Sequence, residues 1–296
     1  MEHMVGKSGF LERNIHIIFP LPALFFVFLL MIFPVGYTLF LSFSDWILTS
    51  GRPMRFVGFQ SYVKVLNEPR FMMAVWRTLV FTFGVVIVEA ILGIIIALIL
   101  HREFRGKGLL KVLLLLPLVV TPVAIGITFS LFYDPMIGFL NYVLSVMGLP
   151  TSAWVRDAST VLPSLMLVDI WQWTPMIALI VLAGLSSLSS EPFESARVDG
   201  ANGVQTFFRI TLPMITPTVL TAIVLRLVDA LKTYDIIFAM TGGGPGYSSE
   251  TLNILAYKYN FQYTDFGPGS GMLVFLFLIV LIFSLGVMQV RKRFEL

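Results

Sequence analysis

The chain has 296 residues, of which 57% are hydrophobic, 14% aromatic and 12% charged. Soluble domains carry about 25% charged residues, so this is the composition of a membrane protein, and it excludes soluble enzyme folds and disordered chains. The formal charge of +3 is too small and too dispersed for nucleic-acid binding, and the absence of cysteine excludes disulfides, thiolate chemistry and cysteine metal sites.

Six long uncharged runs predict transmembrane helices, because hydrocarbon about 30 Å thick requires about 20 apolar residues per helix. The first run is longer than the apolar core of a signal peptide and no small-residue cleavage pattern follows it, so we expect it to remain as a helix. Prolines inside the spans favour kinks, but no hinge is assigned to any of them. The sequence predicts an all-α polytopic membrane protein with one transmembrane domain at 15–291, between tails at 1–14 and 292–296. The predicted spans are 15–43, 75–100, 109–133, 160–185, 212–231 and 271–290.

The basic residues predict the orientation of these spans. An even number of spans places both termini on one side of the membrane. The loops on that side carry eleven Lys and Arg residues, whereas the longer loops on the other side carry seven. Because cytoplasmic loops are enriched in Lys and Arg, both termini are predicted to be cytoplasmic. The eleven residues are Lys7, Arg13, Arg102, Arg105, Lys107, Lys111, Arg197, Arg209, Arg291, Lys292 and Arg293.

The cytoplasmic segment 186–213 has the pattern of a helix–turn–helix. Ser190 is a predicted N-cap before Glu191 and Pro192, and Gly200 and Gly203 interrupt the helix. A projecting helix with an apolar face favours docking in a groove of a partner protein. The alternative is an amphipathic helix that lies along the bilayer surface. The residues expected on one face of the first helix are Phe193, Ala196 and Val198, and a second short helix is predicted to carry Val204, Phe207 and Phe208 toward the membrane.

A spaced motif lies within this segment. Glu194-Ser195-Ala196 is followed after three residues by Gly200, and after nine more by Ile210-x-Leu212-Pro213. This resembles the EAA loop of the permeases of binding-protein-dependent ABC importers, with Ser195 where the family pattern has alanine. The resemblance implies coupling helices that dock in a cleft of an ATPase subunit, and Gly200 would allow a sharp turn or a close backbone approach there. The docking residues it implies are Glu194, Ser195, Ala196, Asp199, Gly200 and Ala201.

A glycine-rich segment follows the fifth predicted span on the outer side. It reads Thr241-Gly-Gly-Gly-Pro-Gly246, and no Gly-Lys-Ser/Thr closes it as in a phosphate-binding loop. Together with residues 230–235, it resembles a signature of the carbohydrate-uptake permeases of the maltose and glycerol-phosphate type, in their six-span form. That resemblance implies a bacterial inner-membrane protein whose cargo is a sugar, a polyol or a related polar solute. The outer-loop residues it singles out are Gly242, Gly243, Gly244 and Pro245.

Four charged residues away from the ends of the predicted spans are candidates for function, since intramembrane charges are costly. At 1.5 Å per residue, Asp169 is expected near the middle of the membrane, Arg226 and Asp229 in the outer third, and Glu89 nearer the cytoplasm. Arg226 and Asp229 are three residues apart and can pair on one helical face. Whether such a pair is structural or contacts the substrate stays open.

The fourth predicted span offers a candidate cargo face. Asp169, Gln172 and Trp173 share one helical face. A carboxylate and an amide can bind hydroxyl groups while an indole packs on a sugar ring. The alternative is hydrogen bonding between helices, with Trp173 as packing. The predicted substrate-binding set is Asp169, Gln172, Trp173, Arg226 and Asp229.

The leading hypothesis is therefore the permease subunit of an ATP-driven importer that works by alternating access. The resemblance implies an ABC ATPase dimer, a second homologous permease subunit and a periplasmic or extracellular solute-binding protein as partners. This chain is expected to have no catalytic residue, metal or cofactor, with ATP and magnesium held by the partner ATPase. One alternative is an ion-coupled secondary transporter working alone, with Glu89 and Asp169 as its proton relay. Another is a polytopic enzyme, although His3, His16 and His101 are scattered and form no site.

Overall fold

A computed structural model describes residues 19–293. The predicted tail at 1–14, the start of the first predicted span and residues 294–296 lie outside the described residues. Within 19–293, five helices are long and apolar enough to cross a membrane, and a bent pair of helices makes a sixth passage if it counts as one span. The long helices are α1 (Leu21–Ser42), α3 (Phe71–His101), α7 (Val161–Ser186), α9 (Gly203–Leu231) and α12 (Phe266–Lys292), and the bent pair is α4 (Lys107–Val119) and α5 (Pro122–Phe132).

The span predicted at 109–133 is not one continuous helix but this bent pair. The axes of α4 and α5 differ by 98°. Val120 and Thr121 between them are extended, and Pro122 is the first residue of α5. A residue before proline is disfavoured in helical conformation, so the chain breaks where the proline begins the next helix. Pro122 thus marks a break between two helices that the sequence analysis did not assign to any proline.

Short elements connect these passages. Two of them define the ends of the bundle: the EAA end carries residues 187–202, and the glycine end carries residues 242–246. The short helices are α2 (Gln60–Leu66), α6 (Phe139–Val146), α8 (Glu191–Val198), α10 (Asp235–Thr241) and α11 (Leu252–Tyr257), which continues as a π-helical turn at Lys258–Gln262. Strand β1 (Ser44–Asp45) pairs antiparallel with β2 (Arg55–Phe56), and single 3-10 turns occur at Leu48–Ser50 and Trp154–Arg156.

The predicted second helix of the segment 186–213 is not a separate element. Helix α9 begins at Gly203 and passes through a π-helical turn at Phe207–Thr211 into the fifth span without a break. Its end at Leu231 agrees with the prediction, whereas α12 begins at Phe266, five residues before the predicted start. The apolar run marks only the part of each helix inside the hydrocarbon, so polar and small residues at the helix ends escape it.

Close backbone packing holds α3, α7 and α9 together. A Cβ atom added at Gly93 on α3 would lie 2.7 Å from Cγ2 of Ile177 on α7. A Cβ atom added at Gly184 on α7 would lie 2.8 Å from Cγ2 of Thr218 on α9. Small residues allow this approach between helices in membranes, where packing rather than the hydrophobic effect drives association. Helix α1, in contrast, buries little of its surface in this chain.

Candidate functional site

Three charged side chains from three helices meet inside the bundle. Glu89 on α3, Asp169 on α7 and Arg226 on α9 are each no more than 1% exposed. Arg226 donates from Nε to Glu89 Oε2 at 2.7 Å and from Nη2 to Glu89 Oε1 at 3.1 Å, and its Nη2 also contacts Asp169 Oδ2. One guanidinium serves both carboxylates because its donors form a rigid planar fork. We call these three residues the charge triad.

The predicted pair between Arg226 and Asp229 is wrong. Asp229 is 42% exposed and pairs with Lys232 at 3.1 Å, while Arg226 faces the triad. A cation stabilises buried carboxylates such as Glu89 and Asp169 far more than it stabilises the half-exposed carboxylate of Asp229. Glu89, which was expected at a different depth from Arg226, nevertheless lies within hydrogen-bonding distance of its guanidinium. Counting residues along single helices does not show which long side chains reach one another across the bundle.

A cavity of about 280 Å³ lies between the triad and the glycine end. Asp169 lines it, and the buried Oδ1 of Asp169 has no hydrogen-bond partner among residues 19–293. The ring of Trp173 lies 5.4 Å from the guanidinium carbon of Arg226, and both side chains also line the cavity. Asp229 lines it nearer the end of α9. The cavity therefore combines an acceptor, a cation and an aromatic wall, the mixture that orients a polar ligand.

Gln172 does not join this lining. Its Nε2 donates to the carbonyl oxygen of Val120 at 3.3 Å. That carbonyl belongs to the extended break between α4 and α5, where no helical partner is available. For Gln172 the structure thus shows the alternative role, a hydrogen bond between helices. The neighbouring Trp171 points elsewhere, with its ring 5.3 Å from that of Phe129.

Helix α8 projects at the EAA end with the implied docking residues on two faces. Glu194, Ser195 and Asp199 are exposed. Ala196 is only 7% exposed and faces the bundle, so within this chain it supports α8. Val198 does not share its face as predicted and is 88% exposed, because residues two apart lie about 200° apart around a helix. Val198 is a docking candidate that the sequence analysis placed on the wrong side.

A Schellman motif ends α8 and explains Gly200. The amide of Gly200 donates to Arg197 at 3.1 Å, and that of Ala201 donates to Ala196 at 2.9 Å. Gly200 has a φ of +75°, and apart from its chain neighbours no atom of the described residues lies within 4 Å of an added Cβ. The turn, rather than a close approach inside the chain, is what requires glycine here.

The caps on either side of this turn differ from the prediction. Ser190 precedes α8, but its side chain makes no capping hydrogen bond. Asn202 and Gln205 instead form a capping box at the start of α9, with both hydrogen bonds at 2.9 Å. An Asn followed three residues later by Gln is a recognisable signal for this box, and the sequence analysis missed it.

The glycine segment packs against its own chain. Gly242 and Gly243 have φ values of +57° and +95°, and Gly242 ends α10. A Cβ added at Gly243 would lie 3.1 Å from both Ile254 Cγ2 and Lys258 Nζ. The carbonyl of Gly244 accepts a hydrogen bond from the Ser249 hydroxyl at 2.7 Å. The next residue, Pro245, accepts one from the Ser248 amide at 3.0 Å.

A buried ionic cluster, which the sequence analysis missed, joins this loop to the start of α3. Glu250 is fully buried and its Oε1 accepts from Lys258 Nζ at 2.8 Å, with Arg70 Nη1 at 3.7 Å. Arg70 Nε donates to Glu68 at 2.9 Å, and the Tyr259 hydroxyl donates to Glu68 as well. Burial favours neutral Glu68, but these two hydrogen bonds outweigh it and lower its pKa. Burial and the neighbouring Glu68 raise the pKa of Tyr259 to about 12. No spacing in the sequence connects these residues.

Comparison with known proteins gives a consistent result. Residues 89–295 match the family described as binding-protein-dependent transport system inner membrane component. The chain is 32% identical over 291 residues to the trehalose/maltose transport system permease protein of Thermococcus litoralis, covering 98% of each chain. It is also 32% identical to the sulfoquinovosyl glycerol transport system permease protein of Agrobacterium fabrum, covering 90% of this chain and 86% of that protein.

Solved structures share the fold. A chain of a bacterial ABC transporter involved in the import of the acidic polysaccharide alginate matches with a TM-score of 0.83 at 21% identity, covering 96% of this chain and 97% of that one. A chain of the MetNI methionine ABC transporter matches with a TM-score of 0.57 at 15% identity, covering 77% and 99%. The family confirms the hypothesis that the EAA spacing suggested and favours it over an ion-coupled transporter working alone. The chain belongs to the family of inner-membrane components of binding-protein-dependent transport systems, and it is an all-α ABC importer permease.

Proposed function

We propose that this permease moves a sugar, a polyol or a related polar solute, and that the cavity beside the charge triad receives it. The observation that carries the proposal is Oδ1 of Asp169, a buried acceptor on the cavity wall with no hydrogen-bond partner in the part of the chain that the structure describes. Trp173 on the same wall can pack on the apolar face of a sugar ring. The names of the relatives, which include transport of trehalose, maltose and sulfoquinovosyl glycerol, support this solute class.

Transport would be driven by an ABC ATPase dimer that holds ATP and magnesium. Exposed Glu194, Ser195 and Val198 on α8 would dock in its cleft, and closure of that cleft would move α8 and α9. Because Gln172 on α7 contacts the α4–α5 break and Arg226 on α9 contacts α7, such a movement would reach the walls of the cavity. Alternating access would follow from this coupling.

The remaining partners follow from the orientation. The excess of basic residues supports a cytoplasmic EAA end with both termini on that side. The apolar runs support a single transmembrane domain at 15–291. A solute-binding protein would then deliver cargo at the glycine end. A second homologous permease subunit would complete the pathway, and the little-buried α1 offers it a surface.

Uptake by the complete transporter in proteoliposomes tests this function. Asp169→Asn should reduce solute uptake about tenfold or more, since a lost hydrogen bond to a charged group is worth about 1.5–3 kcal/mol. Trp173→Ala should also reduce uptake, since it removes the aromatic wall on which a sugar ring can pack. The ATPase should still copurify with both variants. Trp171→Ala is the matched control and should retain uptake, because Trp171 does not line the cavity. Normal uptake by both cavity variants would contradict the assignment, and concentration of solute by this chain alone would contradict the ATPase coupling.

A further inference from the structure

The segment between α5 and α7 presents apolar side chains at the glycine end. No charged residue occurs between Asp134 and Arg156. The first large side chains of the segment, Met136 and Ile137, are 93% and 87% exposed. The two other connecting segments at this end differ, since residues 44–70 and 232–265 both carry several charges. An uncharged and strongly apolar surface of this kind indicates contact with something other than water.

Helix α6 concentrates this surface on one side. Phe139, Tyr142 and Val146 share a face at i, i+3 and i+7, and all three are exposed. The hydroxyl of Ser145, which is also exposed, donates to the carbonyl of Tyr142 at 2.7 Å and needs no water. The Ser145 hydroxyl is therefore satisfied within the helix, and the hydroxyl of Tyr142 is the one polar side-chain group on this face, at the tip of a ring of the kind that favours a membrane interface.

The opposite side of α6 is fastened to the protein. Asn141 is buried, and its Nδ2 donates to the Ser152 carbonyl at 2.8 Å. Its Oδ1 accepts from the Ser152 amide at 3.0 Å and from Trp154 Nε1 at 2.8 Å. An ion pair of Asp134 with Arg156 at 2.8 Å closes the base of the segment. These contacts hold the segment in place, so its exposed face belongs to an ordered part of the protein.

The exposed face continues the apolar surface of a membrane-spanning helix. The rings of Phe132 at the end of α5 and Phe139 at the start of α6 lie 6.1 Å apart. On α5, Ile127 and Leu131 are also exposed. The exposed apolar surface of α5 therefore continues into that of α6 through this contact of the two rings.

We propose that α6 is an interfacial helix, with Phe139, Tyr142 and Val146 in the boundary between headgroups and acyl chains of the outer leaflet. Lipid covers such a face at all times, whereas a solute-binding protein must dissociate and would leave it in water. Interfacial helices usually carry Lys and Arg on their polar face. Here that face packs on the protein through Asn141, so no charge is required.

The absence of cysteine from the chain allows a direct test. Single cysteines at Phe139, Tyr142 and Val146 are labelled with a nitroxide in the complete transporter, reconstituted in phosphatidylethanolamine/phosphatidylglycerol vesicles without binding protein. Collision rates with oxygen, which enters lipid, and with a water-soluble nickel chelate are then measured. Ser50→Cys, exposed at the same end, is the aqueous control, and Ile282→Cys, exposed on α12, is the lipid control.

Nickel collision rates at the three α6 positions should be about fivefold lower than at Ser50, because the apolar face lies at the boundary between headgroups and acyl chains. Oxygen collision rates at these positions should be close to those at Ile282. Nickel collisions as frequent as at Ser50 would place α6 in water and point to a site for the binding protein. Shielding from both reagents would place it against the second permease. Either outcome overturns the proposal, provided that solute uptake by the labelled variants shows an intact transporter.

Discussion

Replacing Arg226 by methionine tests whether the charge triad holds three helices together. Arg226 contacts both Glu89 and Asp169, so Arg226→Met leaves two buried carboxylates side by side without a cation. Removing one partner of a buried ion pair lowers the free energy of unfolding by about 3–5 kcal/mol, whereas single hydrogen bonds between membrane helices average about 0.6 kcal/mol. We expect a loss of about 3 kcal/mol, because one carboxyl group can take up a proton and relieve part of the repulsion.

A second substitution separates charge balance from packing. Glu89→Gln keeps the shape of the side chain and leaves Arg226 and Asp169 as a pair of equal and opposite charge. It should change the free energy of unfolding by no more than about 1 kcal/mol, the size of one neutral hydrogen bond. The triple variant Glu89→Gln/Asp169→Asn/Arg226→Met should recover part of the stability lost in Arg226→Met, since amides need no cation.

Reversible unfolding in mixed micelles by sodium dodecyl sulfate measures these differences. Lys232→Met is the control, since Lys232 forms a half-exposed pair with Asp229 and should contribute less than about 1 kcal/mol. If Glu89→Gln destabilises the protein as much as Arg226→Met, the triad acts through packing and the charge argument is refuted. A triple variant no more stable than Arg226→Met would lead to the same conclusion.

Three further predictions concern positions outside the triad. Gly200→Val should reduce copurification of the ATPase more than Gly200→Asn does, because a β-branched residue resists the φ of +75°. The control is Gly203→Ala, where φ is not positive, and a loss of copurification there equal to that of Gly200→Val would contradict the prediction. Gly93→Ala should lower the free energy of unfolding by about 1–3 kcal/mol through overpacking against α7. Gly286→Ala, where no atom of residues 19–293 beyond its own helix neighbours lies within 4 Å of the added Cβ, should change it by less than about 0.5 kcal/mol, and equal thermal shifts in the two variants would refute the close approach. Glu250→Gln should loosen the glycine loop and speed its cleavage in limited proteolysis, since the partly buried Arg70 and Lys258 beside it lose their carboxylate; an unchanged cleavage rate would show that backbone packing alone holds the loop.

Part of the cavity was predictable because helix geometry is local. The spacing of Asp169 and Trp173 is enough to place them on one face of α7, and both line the cavity. The same spacing includes Gln172, yet its amide contacts Val120, since the break between α4 and α5 leaves a carbonyl within its reach. No pattern within one helix indicates that a neighbouring helix will break opposite it.

The sequence by itself determined the class of the protein, the apolar runs long enough to cross a membrane and the EAA spacing of its family, because apolar length and local motifs are properties of consecutive residues. Only the tertiary structure decided that Arg226 pairs with Glu89 and Asp169, that Ala196 rather than Val198 faces the bundle, and that Glu250 is buried beside cations. Each of these depends on how far separate helices rotate and slide against one another. That arrangement is set by close packing at residues such as Gly93 and by the cost of leaving buried charges unpaired, and both act between segments far apart in the chain.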